Sequence, residues 1–269
     1  MLKDYQLIGQ GNTAEIYQMG SKKVLKLFRC GFNKADAERE YQNSVLAQNV
    51  LDCVPQVYEK VEIEGRIGIV YEEVCGQDML QLMLKSPLKI SQKSKEFAGY
   101  HYSIQKAVRE EIITVKEKLI FDIENGDFLS EKTKSILKQY INTLPDGEYL
   151  CHFDFHPGNI MFVGTKAVFL DWMTACKGDI CADVARTVIL LKYGQINHAP
   201  IIVQKLLSFG KRFILKNYLN EYMRLTGIKA NDISKWEVPI AAARLRESLS
   251  DKERKILLDF VNTELPKLT

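Results

Sequence analysis

The chain has 269 residues, 46% hydrophobic and 26% charged, the composition of an ordinary globular protein with enough apolar side chain for one large or two modest cores. A formal net charge of +3 is too small to argue for nucleic acid or an anionic membrane as partner. The first residues show no apolar signal-peptide core, and the run Thr187–Leu191 is closed by Arg186 and Lys192, so a cytoplasmic protein without a membrane span is expected.

The six cysteines (Cys30, Cys53, Cys75, Cys151, Cys176, Cys181) form no Cys-x-x-Cys pair, which favours buried reduced thiols over disulfides or zinc ligands.

In chain order, residues 1–76 read as an antiparallel sheet with one inserted helix. Tyr5-Gln-Leu-Ile leads into Gly9-Gln-Gly11-Asn12-Thr13-Ala14 and then Ile16–Met19, a strand, a glycine turn and a strand. Gly9 and Gly11 would let the backbone approach a phosphate closely, though an ordinary glycine hairpin has the same pattern. Val24–Phe28 is a third strand. Within it Lys26 points away from Leu25 and Leu27, either to solvent or to a ligand cleft. Asn33–Asn49 follows a helical pattern with Ala35, Ala37, Tyr41, Val45 and Leu46 on one broad face. It offers Lys26 two acidic partners, Glu38 and Glu40. They lie on different sides of the helix; Glu40 is favoured for its place beside the apolar stripe, and Glu38 stays open. Val61–Tyr71 reads as a hairpin turning at Glu64-Gly65. Glu72-Glu73-Val74-Cys75-Gly76 is a linker whose backbone, at Glu72 and Val74, is the candidate adenine contact or simply a loop.

From residue 77 to 269 the pattern turns mainly helical, with helices over Gln77–Lys85, Ser94–Ile123 and Ser130–Thr143. The segment His152-Phe-Asp154-Phe-His156-Pro-Gly-Asn159 interrupts it. Pro157 and Gly158 exclude a regular helix there. A short apolar strand, Ala167–Leu170, then ends in Asp171. An Asp and an Asn five apart, with a second Asp one hairpin away, are the groups that phosphoryl transfer from a metal-bound nucleotide requires. One Asp accepts the proton of the attacking hydroxyl; the Asn and the other Asp hold Mg²⁺. A zinc site at His152 and His156 is disfavoured, because Pro157 and Gly158 break helical presentation and no third ligand is in view. His152 is expected to brace the loop and His156 to line the cleft. Asp179 or Asp183 is expected to cap the helix that follows, with a supporting role under the catalytic loop open to Asp183.

These segments, with Leu170-Asp171-Trp172 and Gly178-Asp179 through Asp183-Val-Ala, resemble the aminoglycoside phosphotransferase and choline kinase family. That family is the small-molecule branch of the protein-kinase-like fold. The resemblance runs from the Gly9 loop to Ala241-Ala-Ala-Arg-Leu, specific in the catalytic segment and loose in the N-terminal lobe. Ala14 stands where the third glycine of Gly-x-Gly-x-x-Gly would fall. The resemblance implies an α+β, two-lobed fold with a sheet-rich nucleotide-binding lobe (1–76) and a larger helical lobe (77–269) carrying the catalytic loop and the substrate site. It implies a small-molecule kinase using ATP or GTP with Mg²⁺. By position, Asp154 would be the base, Asn159 and Asp171 the metal ligands, and Lys26 with Glu40 the phosphate-holding pair. Gly9, Gly11, Asn12, Thr13, Glu72 and Val74 complete the expected nucleotide contacts.

Two other classes share part of this pattern: an atypical protein kinase, and a nucleotide-binding pseudokinase acting as a binding module. Met173–Asp183 is too short for a long activation loop, and no acid or amide group needed for catalysis is missing. From Ile180 to Ser250 there are eleven Lys or Arg against five Asp or Glu. That balance disfavours a polycationic aminoglycoside and favours a neutral or anionic hydroxyl acceptor, although solvated helix faces would give the same count.

Overall fold

The alternating segments before residue 73 build one five-stranded antiparallel sheet. Its strands are β1 (Gln6–Gln10), β2 (Ala14–Gln18), β3 (Lys23–Phe28), β4 (Val57–Ile63) and β5 (Arg66–Glu72), in the order β1-β2-β3-β5-β4. The computed structural model describes residues 5–11, 13–194 and 201–268, with the side chains of 201–209 left out. The hairpin between β4 and β5 turns at Glu64 and Gly65, both with positive φ (53° and 75°), the turn geometry that matches strand twist.

Helix α1 (Lys34–Val50) starts at Asn33, whose side chain accepts a hydrogen bond from the Ala35 N–H at 2.8 Å. Leu25, Leu27 and Val70 form an apolar cluster on one face of the sheet. On the other face Phe28, Ala14 and Ile69 pack with Ala37 of α1. Strand alternation puts Lys26 on this second face, under the helix and not toward solvent. The buried face of α1 is Ala37, Glu40, Asn43, Ser44, Leu46 and Ala47, while Ala35 is exposed and Tyr41 and Val45 are half-buried. The expected apolar stripe is therefore rotated. Glu40, Asn43 and Ser44 are buried because each finds polar partners inside.

The chain continues through β6 (Gln77–Asp78), α2 (Met79–Lys85), α3 (Ile90–Ile104), α4 (Val115–Glu124), α5 (Glu131–Thr143), β7 (Tyr149–Cys151), β8 (Ile160–Val163), β9 (Lys166–Phe169) and β10 (Cys176–Gly178). It ends with α6 (Ile180–Tyr193), α7 (Ile201–Thr226), α8 (Ala230–Ser234), α9 (Glu237–Arg244) and α10 (Asp251–Glu264).

Two helical expectations need correction. Gln77 and Asp78 are not helical; they pair with Phe162 and Met161 of β8, and the Asp78 carboxylate accepts the Gln81 N–H that opens α2. Just before them, a Cβ on Gly76 would lie 2.1 Å from the Phe162 carbonyl oxygen, so only glycine fits that crossing. Ser94–Ile123 is two helices, not one. Between them Lys106 O accepts from the Leu150 N–H and the Val108 N–H reaches Glu148 O, each at 2.8 Å. Tertiary strand pairing overrides helical propensity there, and Thr114 restarts the helix with a reciprocal cap to Glu117.

The chain divides into two compact units, neither of them continuous in sequence. The first comprises Met1–Lys85 and Pro157–Ala175, and so holds the five-stranded sheet, α1, α2 and the small sheet β6-β8-β9. The second comprises Ser86–His156 and Cys176–Thr269, with a helical core in which Phe97, Leu119, Ile141, Val184, Val188, Trp236 and Ile240 are all buried. All six cysteines are free thiols; Cys151, Cys176 and Cys181 are buried as expected, whereas Cys30 and Cys75 are exposed, the first in a turn and the second in the linker after β5.

Candidate functional site

In the first unit, hairpin register sets the geometry. Ile160 of β8 pairs with Phe169 of β9, and the Leu170 N–H extends the ladder by one rung to the Asn159 carbonyl at 2.9 Å. Asn159 and Asp171 thereby flank the open end of one hairpin. Asp171 has φ +63°, a left-handed backbone uncommon for a non-glycine residue. Lys26 Nζ lies 2.6 Å from Glu40 Oε1 and 3.2 Å from Asp171 Oδ1. Of the two acidic candidates on α1, Glu40 therefore pairs with Lys26, while Glu38 pairs with Lys60. Burial opposes the Lys26 charge, but Asp171 and Glu40 outweigh it and hold the ammonium above its ordinary range. The Tyr71 hydroxyl donates to Glu40 Oε1 at 3.2 Å and meets Ser44 Oγ at 3.1 Å.

Asn159 and Asp171 supply one amide and one carboxylate oxygen, hard donors suited to Mg²⁺. Among the described residues no three His, Cys, Asp or Glu side chains converge on a metal position. A Mg²⁺ completed by nucleotide oxygens fits this donor set better than an all-protein cage.

In the second unit the segment before Asp154 is fixed from beneath. The buried Asp183 carboxylate accepts backbone N–H groups from His152 (3.1 Å) and Phe153 (2.8 Å), and is met by His101 Nε2 (2.8 Å) and Gln105 Nε2 (3.1 Å). Burial would raise its pKa, but His101 and the Phe153 N–H outweigh that and lower it. Asp179, not Asp183, caps α6, accepting the Cys181 N–H at 2.6 Å. His152 is fully buried, and its Nδ1 accepts the Asp154 N–H at 3.3 Å. His156, only partly buried, places Nε2 3.8 Å from Asp154 Oδ2. Phe153 carries φ +62° immediately before the candidate base.

Sequence reasoning overlooked Arg186, noted only as the charge closing an apolar run. Its Nε donates to the Phe153 carbonyl at 3.0 Å, its Nη2 lies 3.8 Å from Asp154 Oδ1, and its Nη1 pairs with Glu247 at 2.8 Å. Glu247 also meets Arg244 at 3.3 Å, and Arg244 donates to Glu253 at 2.6 Å. Burial works to raise the Glu247 pKa, but the two arginines prevail and lower it. A second charged residue, three after Asp183 in the largely apolar α6, was the signal that something specific sits at position 186.

The remaining candidates lie in the first unit. The Gly11 N–H donates to Ala14 O at 2.8 Å, Arg29 Nη2 donates to Gly11 O at 2.9 Å, and the Arg29 N–H donates to Thr13 O at 2.9 Å. Gly9 pairs with Ile16 in the β1–β2 ladder. Asn12 lies outside the described residues. The Glu72 N–H is taken by Gln56 O, whereas the Val74 backbone makes no hydrogen bond among the described residues.

The chain matches the phosphotransferase enzyme family model over residues 107–206. No protein of curated function matches it in sequence. Among solved structures, it is similar to a thermostable mutant of aminoglycoside phosphotransferase APH(4)-Ia in its apo form, with a TM-score of 0.64 and 14% identity, covering 98% of this chain and 94% of that one. A further variant of that mutant, in ternary complex with AMP-PNP and hygromycin B, gives 0.63 at 13% identity, over 98% and 93%. A choline/ethanolamine kinase family protein from Mesorhizobium loti gives 0.53 at 13% identity, over 98% and 87%. The match and the neighbours bear out the resemblance read from the His152–Asn159 and Leu170–Trp172 segments, and together they support a small-molecule kinase. The chain thus matches the phosphotransferase enzyme family over residues 107–206 and has, across nearly its whole length, the protein-kinase-like fold of the aminoglycoside phosphotransferases.

Proposed function

We propose that the chain transfers the γ-phosphoryl group of ATP, or GTP, to a hydroxyl of a small molecule. Asp154 accepts the hydroxyl proton, Asn159 and Asp171 hold Mg²⁺, and Lys26, steadied by Glu40, binds the phosphates. The observation that carries this reading is Lys26 held between Glu40 and Asp171, an ammonium fixed beside a candidate metal ligand at the end of the Asn159 hairpin. Mg²⁺, when bound, neutralises phosphate charge. The side chains do the rest: Lys26 orients the phosphates, and Asp154 receives the proton as the acceptor oxygen attacks the γ-phosphorus and the bond to the β,γ-bridging oxygen breaks, releasing the nucleoside diphosphate.

Supporting observations extend this to the nucleotide. Neither Gly9 nor Gly11 has positive φ, and a Cβ on either would meet only ordinary contacts, so folding alone does not demand glycine there. Close approach of a phosphate would. The Val74 backbone, which makes no hydrogen bond among the described residues, suits an adenine edge together with Glu72, and Thr13 and Asn12 are assigned to the nucleotide with Gly9 and Gly11. The neighbour that binds AMP-PNP favours an adenine nucleotide. Residues 1–76 are assigned to the nucleotide and 77–269 to catalysis and the acceptor. The cationic balance of residues 180–250 favours a neutral or anionic acceptor. Among the described residues no helix is long and apolar enough to cross a membrane, and a cytoplasmic location is part of this reading.

The test is a nucleotide-consumption screen over sugars, polyols, phosphorylated metabolites, aminoglycosides, choline-like amines and amino alcohols, run beside Asp154→Ala. Turnover with one class that disappears in the variant supports the assignment. Near-wild-type turnover by Asp154→Ala removes the proposed base, and an aminoglycoside as best substrate removes the acceptor reading.

A further inference from the structure

Asn43 lies on α1 three residues after Glu40 and is 2% exposed. Its Nδ2 is within hydrogen-bond reach of three backbone carbonyls: Trp172 at 3.2 Å, Met173 at 3.4 Å and Ala175 at 3.0 Å. These acceptors belong to the segment that immediately follows Asp171. That segment closes on itself through the Ala175 N–H to Trp172 O bond at 3.0 Å, and the Trp172 indole donates back to Phe169 O at 3.2 Å. Asp171, between these anchors, holds its left-handed φ of +63°. A non-glycine residue keeps such a backbone only where its surroundings over-determine it.

We propose that Asn43 is a positioning residue for Asp171, acting through the backbone of residues 172–175. Helix α1 thereby holds Asp171 twice, by its side chain through Glu40 and Lys26 and by its backbone through Asn43. The two holds sit one helical turn apart on one buried face, so the Lys26–Glu40 pair and the Asp171 carboxylate keep a fixed spacing. An amide suits the task, because it donates to neutral carbonyls without adding charge beside a cluster of one ammonium and two carboxylates. An aspartate there would face the same carbonyls with no donor. The proposal rests on the reading of Asp171 as a Mg²⁺ ligand, and its test separates the two.

Binding of a fluorescent N-methylanthraniloyl ATP analogue is measured with Mg²⁺ and with EDTA for the wild type, Asn43→Ala, Asn43→Ser and Asp171→Asn. Amide hydrogen exchange over residues 172–175 is followed in parallel. Asn43→Ala is expected to lower the Mg²⁺-dependent affinity by about tenfold, the lower end of what losing an outer-shell partner costs a metal site. Affinity in EDTA should hold, exchange over 172–175 should rise, and excess Mg²⁺ should restore binding. Asn43→Ser, with a shorter donor, should fall between. If both Asn43 variants melt earlier yet keep wild-type Mg²⁺ dependence while Asp171→Asn loses it, Asn43 is merely structural and the proposal fails. If Asp171→Asn keeps it too, the metal reading of Asp171 falls and this proposal with it.

Discussion

Asp171 sits beside one cation, Lys26, with 40% of its side chain exposed, whereas Asp154 ends an alternating series of charges running through Arg186, Glu247 and Arg244 to Glu253. In the first unit Lys26 and Glu40 are largely buried, and of the three charged groups only the Asp171 carboxylate reaches the surface, at the end of a hairpin. In the proposed reading the Lys26 ammonium turns from Asp171 to an arriving phosphate while Glu40 retains it. In the second unit the arginines are buried, and each guanidinium relies on carboxylates where little water reaches it. The contrast separates two kinds of role. A metal ligand must exchange partners during turnover; a general base must point the same way before and after. A half-exposed carboxylate with one cationic neighbour suits the proposed metal ligand, and an anchor on two buried arginines suits the proposed base.

The largest effects should come from the second unit. Asp154→Ala should lower kcat by about 10²–10⁴, the usual worth of a general base, with far-ultraviolet circular dichroism unchanged. A kcat within a few-fold of wild type would remove the contrast at its source. Next comes Glu253→Ala, which removes the nearer of the two carboxylates that meet the buried Arg244 guanidinium. Breaking such a pair should cost about 3–5 kcal/mol in urea unfolding. Asp171→Asn, at a half-exposed carboxylate whose loss leaves Lys26 its Glu40 partner, should cost under about 1 kcal/mol in the same assay while weakening Mg²⁺-nucleotide binding. Equal losses in the two variants would mean that burial does not distinguish the clusters. Arg186→Ala should then lower kcat by up to about 10², because a small misplacement of the base is costly, with nucleotide affinity retained. A drop in affinity with kcat intact would place Arg186 outside the orientation of Asp154.

What the sequence revealed follows the same division. The Asn159–Asp171 hairpin was legible because its strands are adjacent, so local alternation and Pro157-Gly158 were enough. The Glu64-Gly65 turn was legible for the same reason. Lys26 was half legible: alternation gave its face, but not that α1 covers that face. The rotation of α1 was hidden because its buried side carries Glu40, Asn43 and Ser44, so hydrophobic periodicity pointed to Tyr41 and Val45 instead. Residues 105–114 looked helical because their strand partners, Glu148 to Leu150, lie some forty residues onward. Arg186, Glu247, Arg244 and Glu253 are spread over nearly seventy residues, and no local spacing rule joins them.

The smallest expected effect is in the pH dependence of stability. Asp183 holds the His152–Phe153 backbone with a pKa below its ordinary value, and Glu247 holds Arg186 and Arg244 in the same condition. A carboxylate depressed in the folded state binds its proton more readily when unfolded, so stability rises with pH through that window. Its contribution is complete above the unfolded pKa, about 4, and is lost as pH falls through the lower folded values. Urea unfolding between pH 5 and 3 should therefore show a falling free energy. Asp183→Asn cannot ionise, yet it keeps an oxygen for the Phe153 N–H. It should be less stable at pH 7 and flatter toward acid than the wild type. If Asp183→Asn keeps the full wild-type slope, the acid sensitivity resides elsewhere, and the Asp183 carboxylate acts as a hydrogen-bond acceptor that an amide replaces.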